Sequence, residues 1–193
     1  WMEWAKEQGK PIVAGPLVDL SKAALPEWMY VWQHDYDTLR DLAYDFMEKV
    51  VHRYRGMVGM WNLASGINVN DNIELKPSQM IDLVRTARLL VQQYRKGARA
   101  MIELREPFGE HGADREGSVP PLSFIEQIER EGIRIDAVGL QLLFGESAQG
   151  RATRDLMQIS ALLDRFLLLE MPILVSAVGV PSREIDPAGG VWH

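Results

Sequence analysis

Cysteine is absent from the 193 residues, so neither a disulfide framework nor a thiolate metal site can be built. That absence fits cytosol, periplasm and exterior alike. Runs of positive charge are missing too: 21 basic against 27 acidic residues leave a net charge of −6, and no more than two Lys or Arg stand together. The electrostatic footprint that a phosphate backbone requires is lacking, which argues against nucleic acid as a partner. Long apolar runs are lacking as well. Stretches such as Phe166–Leu169 and Pro172–Val175 fall far short of the roughly 18 residues of a membrane span, so a membrane partner is not expected. Finally, no glycine-rich phosphate loop follows an apolar run. Ala14-Gly15-Pro16 is too short for a dinucleotide fingerprint, and no GxxxxGK(S/T) occurs.

What is present is the balance of an ordinary soluble globular domain, 47% apolar and 25% charged. Pro11–Val18, Met57–Ala64, Arg99–Leu104, Ile135–Phe144 and Pro172–Val178 are each about as long as a buried strand. Between them apolar residues follow helical spacing. Tyr36, Leu39, Leu42, Ala43, Phe46, Met47, Val50, Val51 and Tyr54 form one continuous face. Met80, Leu83, Val84, Ala87, Leu90, Val91 and Tyr94 repeat the pattern, as do Leu156, Ile159, Leu163, Phe166 and Leu167. A shorter helix is expected over Pro121–Glu131, ending at Gly132. This alternation, with strands apolar on both faces, predicts an α/β fold with a parallel sheet covered by helices. Open doubly wound sheets and closed barrels both satisfy it. The opening Trp1-Met-Glu-Trp-Ala-Lys-Glu-Gln-Gly9 reads as the tail of a helix stopped by glycine. With no initiating methionine or signal peptide, the sequence is expected to begin inside a larger domain.

Val51–Gly66, V-H-R-Y-R-G-M-V-G-M-W-N-L-A-S-G, resembles the glycoside hydrolase family 10 (xylanase) segment r-Y-k-G-k-v-x-x-W-D-V-V-N-E, with Tyr54, Gly56, Val58 and Trp61 matching. Gly132–Leu143 resembles that family's G-x-p-I-D-G-I-G-L-Q-x-H through Ile135, Asp136, Gly139, Leu140 and Gln141. Leu169–Val180 is similar to l-G-l-P-I-x-I-T-E-L-D-I. Trp4-Ala-Lys-Glu-Gln-Gly9 and Leu25-Pro-Glu-Trp28 resemble the flanks of the family's third strand. The blocks come in family order across nearly all of the chain. The resemblance implies a partial (β/α)₈ TIM barrel, approximately its strands 3 to 7 with their helices. Residues 1–193 would then form a single family 10-like domain, incomplete at both ends, because an eight-stranded barrel typically needs about 250 residues.

The resemblance also says what is lost. Gly66 stands where the family has its acid/base glutamate, and Ala177 where it has its nucleophile. Retaining hydrolysis needs one carboxyl to protonate the leaving oxygen and a second, roughly 5 Å away, to attack the anomeric carbon. Glycine and alanine do neither. The third-strand G-H-T-L-V-W-H corresponds to Ala14-Gly-Pro-Leu-Val-Asp-Leu20 or a one-residue shift of it, with no histidine under either alignment, the fifth-strand N-D-Y becomes Glu103-Leu104-Arg105, and the histidine after Gln141 becomes Leu143. Gln141, Ser65 and Ser176 remain as candidate substrate-binding groups. Glu103 and Asp19 are candidates for displaced catalytic acids, although an ion pair of Glu103 with Arg105 or Arg99 is the commoner fate of such a carboxylate.

Other polar groups read as ordinary structure. The loop Gly109–Gly117 has neither calcium-loop spacing nor an H-x-x-x-H register, so no metal and no cofactor is expected. Asn68–Asn72 reads as solvated turn chemistry ahead of a helix. His34 and His52 are expected in surface or packing roles, and Trp28 and Trp32 in packing more than in stacking on a sugar. The leading expectation is a family 10-like, carbohydrate-related domain without the family's hydrolase activity. An active glycosidase with displaced carboxylates and a structural or protein-interaction domain are the alternatives. The resemblance implies a plant-type polysaccharide or oligosaccharide as partner and, by analogy alone, a secreted or periplasmic location. The oligomeric state is left open.

Overall fold

The computed structural model describes residues 1–109, 115–144 and 154–180. Its elements in chain order are α1 (Met2–Glu7), β1 (Val13–Ala14), β2 (Val18–Asp19), a 3₁₀ turn (Glu27–Trp32), α2 (Tyr36–Tyr54), β3 (Met60–Ser65), a second 3₁₀ turn (Ile67–Val69), α3 (Pro77–Tyr94), β4 (Arg99–Leu104), α4 (Pro121–Arg130), β5 (Ala137–Leu143), α5 (Leu156–Leu167) and β6 (Ile173–Gly179). All pairings are parallel, in the order β1-β3-β4-β5-β6, with β2 also on β3. Since β1 and β2 share one neighbour they occupy one position, and the sheet is a half-barrel of five strand positions. That is the α/β architecture expected of a partial (β/α)₈ barrel.

The first strand position departs from the single run Pro11–Val18. It breaks at Gly15-Pro16, where proline has no N–H to give a ladder. Gly15 has φ +127° and lies so close to β3 that an added Cβ would stand 2.9 Å from Asn62 Cβ and closer still to the Asn62 carbonyl. Only glycine fits that approach. Pairing resumes when the Leu17 N–H donates to the Asn62 carbonyl at 2.9 Å.

Helix ends follow local chemistry. Asp35 caps α2 by accepting from the Thr38 N–H at 3.1 Å, Pro77 opens α3, and Asp155 caps α5 through the Gln158 N–H at 2.8 Å. Each is a residue type suited to the first turn. The helices bury Leu39, Met47 and Val51, then Met80, Leu83, Val84 and Ala87, then Phe124, Ile125 and Ile128 against the sheet. The sheet answers with Trp61, Leu63, Ile102, Leu104, Val138 and Leu140. Strand side chains alternate between faces, so Met60, Met101, Ala137 and Leu174 form a separate cluster on the opposite, inner face. Among the described residues, no helix is long and apolar enough to cross a membrane.

Candidate functional site

Because the strands are parallel, their C-terminal ends lie at one rim, the face on which barrel sites are built. The register puts Asp19 beside Ser65, Ser65 beside Glu103, Glu103 beside Gly139, and Gln141 beside Ala177. The candidate residues read from the sequence therefore share one rim and follow its curve. Ladder irregularities fall in the same places, between Asn62 and Ala64 and between Leu140 and Gln141, where bulges re-aim side chains.

Glu103 is 9% exposed. Its carboxylate accepts from the Asn62 amide at 3.3 Å across the inner face. The expected Glu103–Arg105 ion pair does not form. Arg105 lies beyond the end of β4 and instead reaches Asp71 in a two-pronged contact at 3.2 and 3.3 Å. Nothing in the sequence pattern marks Asn62 as a site residue beyond its place on the same inner stripe as Met60. Gln141 points its amide at the Ser65 hydroxyl at 3.5 Å, the outer limit of a hydrogen bond. Ser176 donates to the Leu140 carbonyl at 3.3 Å. Asp19 closes a turn by accepting from the Ser21 N–H at 2.9 Å.

Gly66 follows β3 with φ +57°, and its N–H donates to the Glu103 carbonyl at 2.9 Å. A Cβ added there would fall on the Arg105 guanidinium, at its Nε. That Nε is buried and has no hydrogen-bond partner. Beside it a cavity of about 10 Å³ lies among Leu20, Gly66, Asn70, Asn72 and Arg105, about the room of one water. The volume next to Gly66 is thus occupied by a cation.

The Asn68–Asn72 segment is not the solvated turn expected. Asn68 is fully buried and donates to the Val119 carbonyl at 3.1 Å, while the Val119 N–H returns a bond of 2.9 Å to the Asn68 carbonyl. Asn70, left-handed at φ +57°, exchanges bonds with the backbone of Leu75. Asn72 donates to the Leu20 carbonyl at 2.8 Å and pairs with the Tyr30 hydroxyl. These asparagines tie three strand-to-helix loops together, a long-range role that turn composition does not reveal.

Trp28 and Trp32 are 57% and 38% exposed, which corrects the packing expectation. Met29 and Tyr30 turn inward in their place. His34 is exposed ahead of the Asp35 cap, and His52 is exposed with its ring edge-on to Tyr94 at 5.4 Å. Most of the Gly109–Gly117 loop lies outside the described residues. Among the described residues no His, Cys, Asp and Glu cluster fit for a metal occurs.

Comparison with solved structures places this fold. The chain superposes on a glycoside hydrolase family 10 enzyme from Paenibacillus barcinonensis with TM-score 0.68 at 16% identity, covering 96% of this chain and 57% of that one. A Thermobacillus composti family 10 xylanase gives 0.66 at 15%, covering 92% and 50%. A Cellvibrio japonicus xylanase in complex with xylopentaose gives 0.64 at 15%, covering 98% and 39%. The chain therefore spans about half the length of these structures or less, and over that span it has a family 10-like barrel fold. No family model and no curated protein matches it.

Proposed function

We propose that this chain is a family 10-like barrel segment that holds a saccharide at the C-terminal rim of its strands without cleaving it. The observation that carries the reading is Gly66 with the Arg105 guanidinium beside it: where the resemblance puts a proton-donating carboxyl, there is a permanent cation. Ala177, one strand beyond Gln141, supplies no nucleophile. Without two carboxyls roughly 5 Å apart the retaining route is closed, and general acid–base help worth about 10²–10⁴ in rate goes with it.

Binding rests on other groups. Asn62, Ser65, Glu103, Gln141 and Ser176 offer amide, hydroxyl and carboxylate partners of the kind that sugar hydroxyls pair with. The fold is shared with a xylanase whose structure contains xylopentaose, which makes a xylo-oligosaccharide the first ligand to try. Incubation with xylan and a panel of β-glucans, read by reducing-sugar release, is expected to give no turnover. Calorimetry with xylopentaose is expected to give saturable binding that weakens in Gln141→Ala. Turnover on any of these glycans overturns the non-hydrolytic part; no heat at millimolar saccharide overturns the binding part.

A second reading is favoured by one observation, the near-complete burial of the Glu103 carboxylate on the inner face. A displaced-acid glycosidase would use it, and sugar release abolished by Glu103→Gln is the result that would establish that chemistry.

A further inference from the structure

We infer that Arg105 bars position 66 from general-acid work, so that putting the carboxyl back does not by itself restore a proton donor. The inference rests on Gly66 standing where an acid would stand, and it goes beyond the loss of that acid to name the residue that has taken its volume. A side chain at 66 begins on the guanidinium, since its Cβ alone would meet Arg105 Nε. The guanidinium is the far end of a flexible side chain and has to shift to admit it, and its tether to Asp71 sets how far it goes. Its two other nitrogens are held by Asp71 at 3.2 and 3.3 Å, and its side chain is 23% exposed.

A carboxyl introduced at 66 therefore meets the cation and competes with Asp71 for it. The other charged groups around it are Asp19 at the end of β2, next to Ser65 in register, and Glu103 on β4, whose carbonyl accepts from the Gly66 N–H. Both are carboxylates and act in the opposite sense, but neither lies against position 66 as the guanidinium does. An opposite charge within about 4–6 Å lowers a carboxyl pKa by roughly 1–3 units. A glutamate so placed is held below the ordinary value of about 4.3, away from the raised pKa of about 6–7 that a general-acid glutamate needs near neutral pH.

The test uses Gly66→Glu and Gly66→Glu with Arg105→Gln, each labelled with ¹³C at the glutamate carboxyl and titrated by NMR, the new resonance being identified by difference from the parent. In the single variant it is expected to titrate roughly 1–3 units below the ordinary value of about 4.3. In the double variant it is expected at least about one unit higher than in the single. Titrations that coincide within about half a unit overturn the inference. Should Gly66→Glu not fold, a urea cycle of Gly66→Ala, Arg105→Ala and their combination reads the same contact. The strain of a side chain at positive φ is present in both backgrounds and cancels. The midpoint lost by the combination is expected to be smaller than the sum of the single losses, and strict additivity overturns the inference. No saccharide enters either measurement. Loss of xylopentaose binding would therefore sink the proposed function and leave this inference standing, while coincident titrations would do the reverse.

Discussion

Asn68→Ala should destabilise the protein by about 2 kcal/mol, because its buried side chain ties two loops together. The side chain is fully buried, and its amide donates at 3.1 Å to the Val119 carbonyl. Truncation removes that hydrogen bond, worth roughly 0.5–1.5 kcal/mol net, and leaves the partner acceptor buried, a penalty of roughly 1–3 kcal/mol. The two figures describe one event from two sides, so about 2 kcal/mol is the central value. At about 2–4 °C per kcal/mol for a chain of this size, the expected fall in Tm is about 4–8 °C. Urea unfolding followed by circular dichroism should show the midpoint falling with the slope unchanged, since the surface exposed on unfolding is nearly the same. The exposed Glu126→Ala serves as reference, with an effect inside about 0.5 kcal/mol. If Asn68→Ala were as mild as that reference, the tie between the loop after β3 and the approach to α4 would have no energetic weight.

Three further outcomes follow from the same geometry. Asp136→Ala should cost about 1–3 kcal/mol in urea unfolding, because its carboxylate accepts from the Ala100 N–H at 2.8 Å while its own N–H donates to the Ala100 carbonyl; Asp136→Asn, which keeps an acceptor, should recover part of that loss. Phe124→Ala removes a fully buried ring from α4 and should cost about 3–5 kcal/mol. Burial, then the hydrogen bond to Asp82 at 2.7 Å, holds the Tyr36 phenol well above the usual tyrosine range. The unfolded chain loses that proton first, so the contribution is whole below about pH 10 and declines as pH rises further. Unfolding midpoints above pH 10 should slope less steeply in Tyr36→Phe.

Strand and helix positions were legible because burial imposes a period. The apolar face from Tyr36 to Tyr54 and the run Arg99–Leu104 coincide with α2 and β4 at both ends. The broken first strand was less legible, since its cause is the approach of Gly15 to a residue 47 positions away. The site divides in the same manner. That Asp19, Ser65, Glu103, Gln141 and Ala177 lie at one rim follows from strand ends alone. The partners do not: Glu103 takes Asn62 where Arg105 was expected, and Arg105 takes Asp71. An alternating strand turns neighbours two apart to one face, but where a long side chain beyond the strand end reaches depends on the loop opposite. Asn68 and Asn72 misled for a related reason, as asparagine serves exposed turns and buried loop ties with the same chemistry.

The most direct test of the central claim is an NMR titration of the ¹⁵N-labelled protein with xylopentaose, with the sugar signals recorded in the same samples over days. The account predicts that backbone amides at Ser65, Glu103, Gln141 and Ser176 shift saturably while the pentasaccharide remains intact. Appearance of shorter xylo-oligosaccharides, or shifts that leave the rim of the strands untouched, would contradict it.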